Sequence, residues 1–343
     1  MRYAGRNRRR RLARRFFTVL IFALVGSWVA YHGFSYLTLK TKPAQIPASD
    51  SDLSDRSAVV AQMSPKTDST VELPLLAGAK RAPSTRPAPK ETVSDIEVEQ
   101  VLAAAKELTG QGKIIPARKV LNDYLAEHFE SPSSNAVRTR ALELGKQTIL
   151  GAKIYPDDPV CQAYRIDAGD TLVRLAKKNK VPYQFLCKIN QIIDPRRLME
   201  GQQIKLPKGP IHLKVIKHEL MLYVFLQDVL FAKYDVCLGK DGKTPDGKWL
   251  VEDRIRRPVY VDPDTKQIFG PNDPNNPTGG FWIRLKGLDG DAVGKTGFGV
   301  HGTNEPDSVK KFLSKGCIRL RNEDMAQVFD LLTPGSSQVY TLP

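Results

Sequence analysis

At 343 residues the chain exceeds one small domain and can hold two or three globular units of roughly 100 to 200 residues each. Apolar content of 41% and charged content of 26% are ordinary for folded protein and exclude a wholly disordered or fibrous chain. The net charge of +15 suggests nucleic acid, but eight arginines fall within the first fifteen residues; the remainder carries 44 basic against 37 acidic residues, which disfavours a nucleic-acid partner.

Residues 1–15 read as a basic cytoplasmic tail because a long apolar run adjoins them. Phe16 to Leu39 holds no charged residue. As a helix its 24 residues would run about 36 Å, enough for a bilayer core of roughly 30 Å. The positive-inside rule keeps the arginines in the cytoplasm and puts everything after Lys40 on the periplasmic or extracytoplasmic side. A cleaved signal peptide is the alternative, but the apolar run ends without a small-x-small site, so 16–39 is expected to be a transmembrane anchor. Arg14-Arg15-Phe16-Phe17 resembles part of a twin-arginine signal, a match that so arginine-rich a tail produces by chance.

Residues 40–93, rich in Pro, Ser, Thr, Ala and Lys, show no sustained apolar period and read as a disordered linker. Over 94–150 the apolar residues return at helical spacing, with Gly110-Gln111-Gly112 separating two helices. One Ala-rich hairpin falls short of a repeat array, so a helical spacer is the plainer reading and a partner-binding module the other.

Residues 161–208 form a compact block. Tyr164-Arg165-Ile166 is strand-like, Asp170 can cap a helix carrying Leu172, Leu175 and Ala176, a second helix follows Pro182, and Gln203 to Leu206 returns as a strand. The stretch Tyr164 to Pro207, with AGDTLVRLAKK, the Asn190 region and LMEGQQIKLP in order, resembles a LysM module. That resemblance implies a βααβ fold and binding to glycan strands such as those of peptidoglycan.

From 211 onward, alternating segments at Ile211 to Val215, Leu220 to Leu226 and Val229 to Leu238, with a turn at Gln227-Asp228, predict a mainly β domain to residue 342. Between Val259 and Trp282 runs DPDTKQIFGPNDPNNPTGG, long enough for a lid or a passive surface insertion.

The chemistry concentrates near the end. Acyl transfer through a thiol needs a partly exposed cysteine of lowered pKa, a base within reach and backbone donors for an oxyanion. Gly299 to Asp324 reads GVHGTNEPDSVKKFLSKGCIRLRNED, with His301 and Cys317 each beside a glycine. A structural zinc site would need four ligands, and no second cysteine or histidine lies nearby. No metal and no cofactor is expected. His32, His128, His212 and His218 fall in the anchor, the helical region and the first strands, where surface or packing roles are the default.

The order HGT, SxGCIRL and Asn322-Glu323-Asp324, preceded by Gly239-Lys240 and Thr244-Pro245-Asp246-Gly247-Lys248, resembles the L,D-transpeptidase (YkuD-type) catalytic domain. The resemblance implies Cys317 as nucleophile and His301 as base, with Gly302, Ser314, Gly316 and Arg319 supporting them or the substrate. The oxyanion would sit on N–H groups near Gly316 and Cys317. Some members of that family have histidine where this chain has Lys315, whose cation could instead favour the Cys317 thiolate. Arg319 could assist electrostatically or pair with Asp324 or another acid.

The expected architecture is therefore multidomain: N-terminal transmembrane helix, helical spacer, βααβ LysM module and mainly-β L,D-transpeptidase catalytic domain. The expected function is a peptidoglycan L,D-transpeptidase forming a Cys317 thioester with a tetrapeptide stem and passing the acyl group to an amine. Its partners would be stem peptides, glycan strands and the membrane. Water in place of the amine would give an L,D-carboxypeptidase, and loss of catalysis a LysM wall-binding protein. Export permits disulfides, so Cys161 and Cys187 could pair, while Cys237 reads as a buried thiol.

Overall fold

The computed structural model describes residues 95–262 and 264–343. The expected basic tail, transmembrane anchor and linker lie outside the described residues. Among the described residues no helix is long and apolar enough to cross a membrane.

The first layer is helical: α1 (Asp95–Gly110), α2 (Ile114–His128) and α3 (Asn135–Gly145), the last running into a π turn at Lys146–Leu150. The break between α1 and α2 falls where Gly112 adopts a positive φ of 74°, a conformation that glycine enters without a Cβ penalty. A βααβ module follows, with β1 (Cys161–Arg165), α4 (Leu172–Lys178), α5 (Tyr183–Asn190) and β2 (Gln203–Pro207). Its first strand starts three residues before the expected Tyr164. The cap of α4 is Thr171, whose hydroxyl accepts from the Arg174 N–H at 3.2 Å. Asp170, expected in that role, instead accepts from the Tyr164 hydroxyl at 2.7 Å and pairs with Arg174. Asn190 ties α5 to β2: its amide donates to the Lys205 carbonyl and its Oδ1 accepts from the Lys205 N–H.

The last domain is built on an eight-stranded sheet. Its strands are β3 (Ile211–Ile216), β4 (Met221–Leu226), β5 (Val229–Asp235), β7 (Gly247–Arg256), β10 (Phe281–Gly290), β11 (Gly299–His301), β13 (Ile318–Arg319) and β14 (Gln338–Leu342). The spatial order is β13-β11-β10-β7-β14-β3-β4-β5. The carboxy-terminal strand thus sits mid-sheet, parallel to β3 and antiparallel to β7. Two small sheets flank it: β6 (Leu238–Gly239) with β12 (Phe312–Ser314), and β8 (Tyr260–Val261) with β9 (Ile268–Phe269). Helix α6 (Asn322–Phe329) buries Met325, Val328 and Phe329.

Strand β4 explains how the layers assemble. Its sequence MLYVFL is apolar throughout, the pattern of a strand buried on both faces. Leu222, Val224 and Leu226 join the core shared with the βααβ module. Tyr223 and Phe225 face the helices and meet Phe129 edge-on, with centroids 5.0 and 5.3 Å apart. The stretch expected to be a spacer is therefore a packed layer on the sheet. Asn122 accepts from the Leu230 N–H at 3.0 Å, and Arg138 pairs with Glu219 at 2.7 Å.

The βααβ module is joined as firmly. Phe185 of α5 stacks on Phe231 of β5 at 6.3 Å, inside one continuous core. Arg118 of α2 makes a two-pronged pair with Asp158 at 2.7 and 2.9 Å and also donates to Thr148. Lys205 of β2 donates to the carbonyls of Thr148 in the π turn and of Gly151 and Lys153 just after it. Cys161 and Cys187 are separate free thiols, not the disulfide that export would permit, and Cys237 is a buried free thiol.

Candidate active site

The site forms at the β11–β13 edge, far along the sheet from the helical layer. Parallel pairing sets Val300 opposite Ile318 and His301 opposite Arg319. Residues directly opposite share a face and alternate residues return to it, so Cys317, Arg319 and His301 project to the same side. All three line one cleft of about 810 Å³.

Cys317 is 6% exposed and His301 5%, so the cysteine is not the partly exposed thiol that was expected. Burial pushes the Cys317 thiol up to about 11, against smaller opposing effects of the Gly299 N–H and the Arg319 cation. Burial, helped by Arg319, pulls the His301 imidazole down to about 3, against the Gly302 and Pro277 carbonyls. Both shifts act in the direction of the neutral pair, a thiol and an imidazole, over a thiolate and an imidazolium. His301 Nδ1 lies 2.6 Å from the Gly302 carbonyl, which can only accept, so Nδ1 carries the proton and Nε2 the lone pair. Beneath the ring, Trp282 stacks at 5.2 Å. It is packed under the histidine, with a Gly299 Cβ barred by its ring at 2.7 Å.

A neutral buried thiol predicts a particular pH response. Alkylation of Cys317 by iodoacetamide should rise about tenfold per pH unit from pH 7 to 10 without levelling, because only the thiolate reacts. A rate that levels off near pH 7 would instead reveal a resting ion pair.

Three backbone peptides shape the nucleophile turn. Ser314 Oγ donates to the Cys317 carbonyl at 2.6 Å and accepts from the Gly316 N–H at 3.1 Å. That N–H is therefore committed, leaving the Cys317 N–H as the turn's candidate oxyanion donor. Thr244 Oγ1 donates to the Gly316 carbonyl at 2.9 Å. Gly316 has φ +133°, and a Cβ there would meet Phe298 at 2.8 Å and the Lys243 carbonyl at 2.9 Å. Gly302 is confined by Asn322, whose Oδ1 would lie 2.3 Å from a Cβ and accepts from the Thr303 N–H at 2.8 Å.

Both charged neighbours of Cys317 are paired with acids. Lys315 does not serve Cys317: it pairs with Asp264 and, at 3.8 Å, with Asp262. Arg319 pairs with Glu305 at 3.3 Å, another acid as the sequence allowed, and not with Asp324. Asp262 and Asp264 belong to the Pro- and Asn-rich insertion, which walls the cleft with them and with its Phe269, Asn275 and Pro277. Buried Asn276 braces it by donating to the carbonyls of Pro258 and Gly270. Thr244 and Asn322 shape the site without having been expected to, although both stand in motif stretches that the sequence makes conspicuous.

The L,D-transpeptidase catalytic domain (YkuD) model matches residues 210–340 and the LysM domain model residues 164–207. YqjB of Bacillus subtilis, named as an L,D-transpeptidase, is 35% identical over 160 residues, covering 46% of this chain and 84% of its own. YkuD of the same organism is 27% identical over 180 residues, covering 50% and 94%. ErfK/SrfK of Escherichia coli is 27% identical over 190 residues, covering 51% and 57%. Among solved structures, an L,D-transpeptidase from Mycobacterium smegmatis is 17% identical with a TM-score of 0.30, covering 42% of this chain and 64% of that one.

Proposed function

Because the chain belongs to the YkuD-type L,D-transpeptidases and carries a LysM domain, we propose that it transfers acyl groups between peptidoglycan stem peptides through a Cys317 thioester. The observation that supports this most is the shared cleft of Cys317 and His301, with the imidazole oriented by the Gly302 carbonyl.

In this reading the donor is a tetrapeptide stem. His301 Nε2 takes the Cys317 proton as the sulfur attacks the third-residue carbonyl, so no free thiolate accumulates. The carbonyl electron pair moves to oxygen, where the Cys317 N–H meets it and Arg319 adds positive charge. The C–N bond then breaks, and the His301 proton leaves with the terminal D-alanine amine. An acceptor amine attacks the thioester, gives a proton to His301 and forms the new amide, while the sulfur recovers its proton. The chain works outside the cytoplasm, held by residues 16–39 in the membrane and by the LysM domain on glycan. Holding the cleft near its polymer raises the local concentration of stems.

Incubation of the chain with tetrapeptide muropeptides tests the proposal. A Cys317 adduct lighter than the donor by D-alanine, followed by a cross-linked or exchanged product, supports it; tripeptide alone identifies a carboxypeptidase. No adduct and no product would sink the enzyme reading. Retention of the Cys317→Ala chain on purified sacculi tests the wall-binding half separately.

A further inference from the structure

We propose that Thr244, some seventy residues upstream of the nucleophile, is a positioning residue that aims the oxyanion donor. The inference rests on the reading of Cys317 as nucleophile, and it concerns how the Cys317 N–H is pointed.

The peptide joining Gly316 to Cys317 is planar and trans, so the Gly316 carbonyl and the Cys317 N–H point in opposite directions. Fixing one fixes the other. Ser314 holds the two flanking peptides, through the Gly316 N–H and the Cys317 carbonyl, and leaves the middle one unclaimed. Glycine at 316 tolerates more than one orientation of that middle peptide, because its backbone lacks the Cβ that would select one. Something else must make the selection.

Thr244 is placed to do so. Its side chain is buried, and its Oγ1 accepts from the Gly239 N–H at 2.8 Å while donating to the Gly316 carbonyl at 2.9 Å. A hydroxyl has one proton, and since the Gly239 N–H can only donate and the Gly316 carbonyl can only accept, that proton goes to Gly316. Contact between the turns is close: a Cβ on Gly239 would fall 2.7 Å from the Thr244 nitrogen and 2.9 Å from the Gly316 Cα. The Thr244 hydroxyl therefore clamps the carbonyl from behind, and the Cys317 N–H faces away from the clamp.

An alkylation and an acylation of the same sulfur separate this role from general support. Iodoacetamide reacts by displacement and develops no oxyanion, whereas thioester formation from a tetrapeptide does. In the full chain, Thr244→Val should slow acylation of Cys317 about 100-fold, the effect of losing one oxyanion donor, while alkylation changes less than about twofold. KM for the tetrapeptide should stay near wild type, and Thr244→Ser, which keeps the hydroxyl, should restore acylation. If valine prevents folding, Thr244→Ala is read in the same way.

Equal loss of acylation and alkylation, or acylation at the wild-type rate without the hydroxyl, would overturn the proposal. A wild-type chain that is alkylated at Cys317 but never acylated overturns the thioester reading itself, and this inference with it.

Discussion

Cys317→Ala is expected to abolish both the acyl adduct and every tetrapeptide product, and His301→Ala to lower kcat by about 10³ to 10⁴ at pH 7.5. The second magnitude follows from the site's electrostatics. With the thiol pushed up to about 11 by burial, a chain without its base must rely on the small thiolate fraction present at neutral pH. The His301→Ala rate should accordingly rise about tenfold per pH unit between pH 7 and 10, a dependence the wild type lacks because the imidazole takes the proton. Intact-mass detection of the adduct and chromatography of the muropeptides read both variants. Conversion by Cys317→Ala at the wild-type rate would move the nucleophile elsewhere. Since His301 rests on Trp282, circular dichroism of His301→Ala distinguishes lost chemistry from lost packing.

The largest effect on stability is expected far from the cleft. Arg118→Ala leaves Asp158 charged and buried, its side chain wholly shielded from water and held otherwise by the Val160 N–H. Breaking such a pair costs about 3 to 5 kcal/mol, whereas replacing both partners by apolar residues of similar size is often neutral. Urea unfolding at pH 7 should show Arg118→Ala well below wild type and the double variant Arg118→Leu/Asp158→Leu recovering most of the loss. Equal destabilisation by the single and double variants would mean that the two charges are not coupled. The single variant should also become sensitive to proteolysis between Gly151 and Val160, where the chain passes from the π turn to the βααβ module.

Much of the fold was legible because it rests on local patterns. The Gly-Gln-Gly break, the βααβ landmarks and the alternation of Ile211, Leu213 and Val215 each state their element within a few residues. What failed to show was assembly. The unbroken apolar run of β4 was the available signal that both faces of that strand are covered. Read only as a strand, it left the helices as a free spacer. The cap of α4 slipped by one residue because Asp170 and Thr171 are both good caps, and only the engagement of Asp170 by Tyr164 and Arg174 separates them.

The cleft divides in the same way. His301, Cys317 and their glycines stand in one short stretch, so their meeting depends on a single strand pairing. The protonation states and the fates of the cations depend on distant chain. The pairing of Lys315 with Asp264 spans fifty-one positions and that of Thr244 with Gly316 seventy-two, beyond the reach of any local spacing.

The common core of the βααβ module and the sheet makes the two halves of the chain a ruler. With Phe185 stacked on Phe231 and Lys205 holding the π turn, a glycan gripped by the module and a stem peptide in the cleft would be kept at one separation. Under the proposed function, reaction would then fall at a set number of sugar units from the grip. The spacing of new links along a strand would be read from the protein's own geometry.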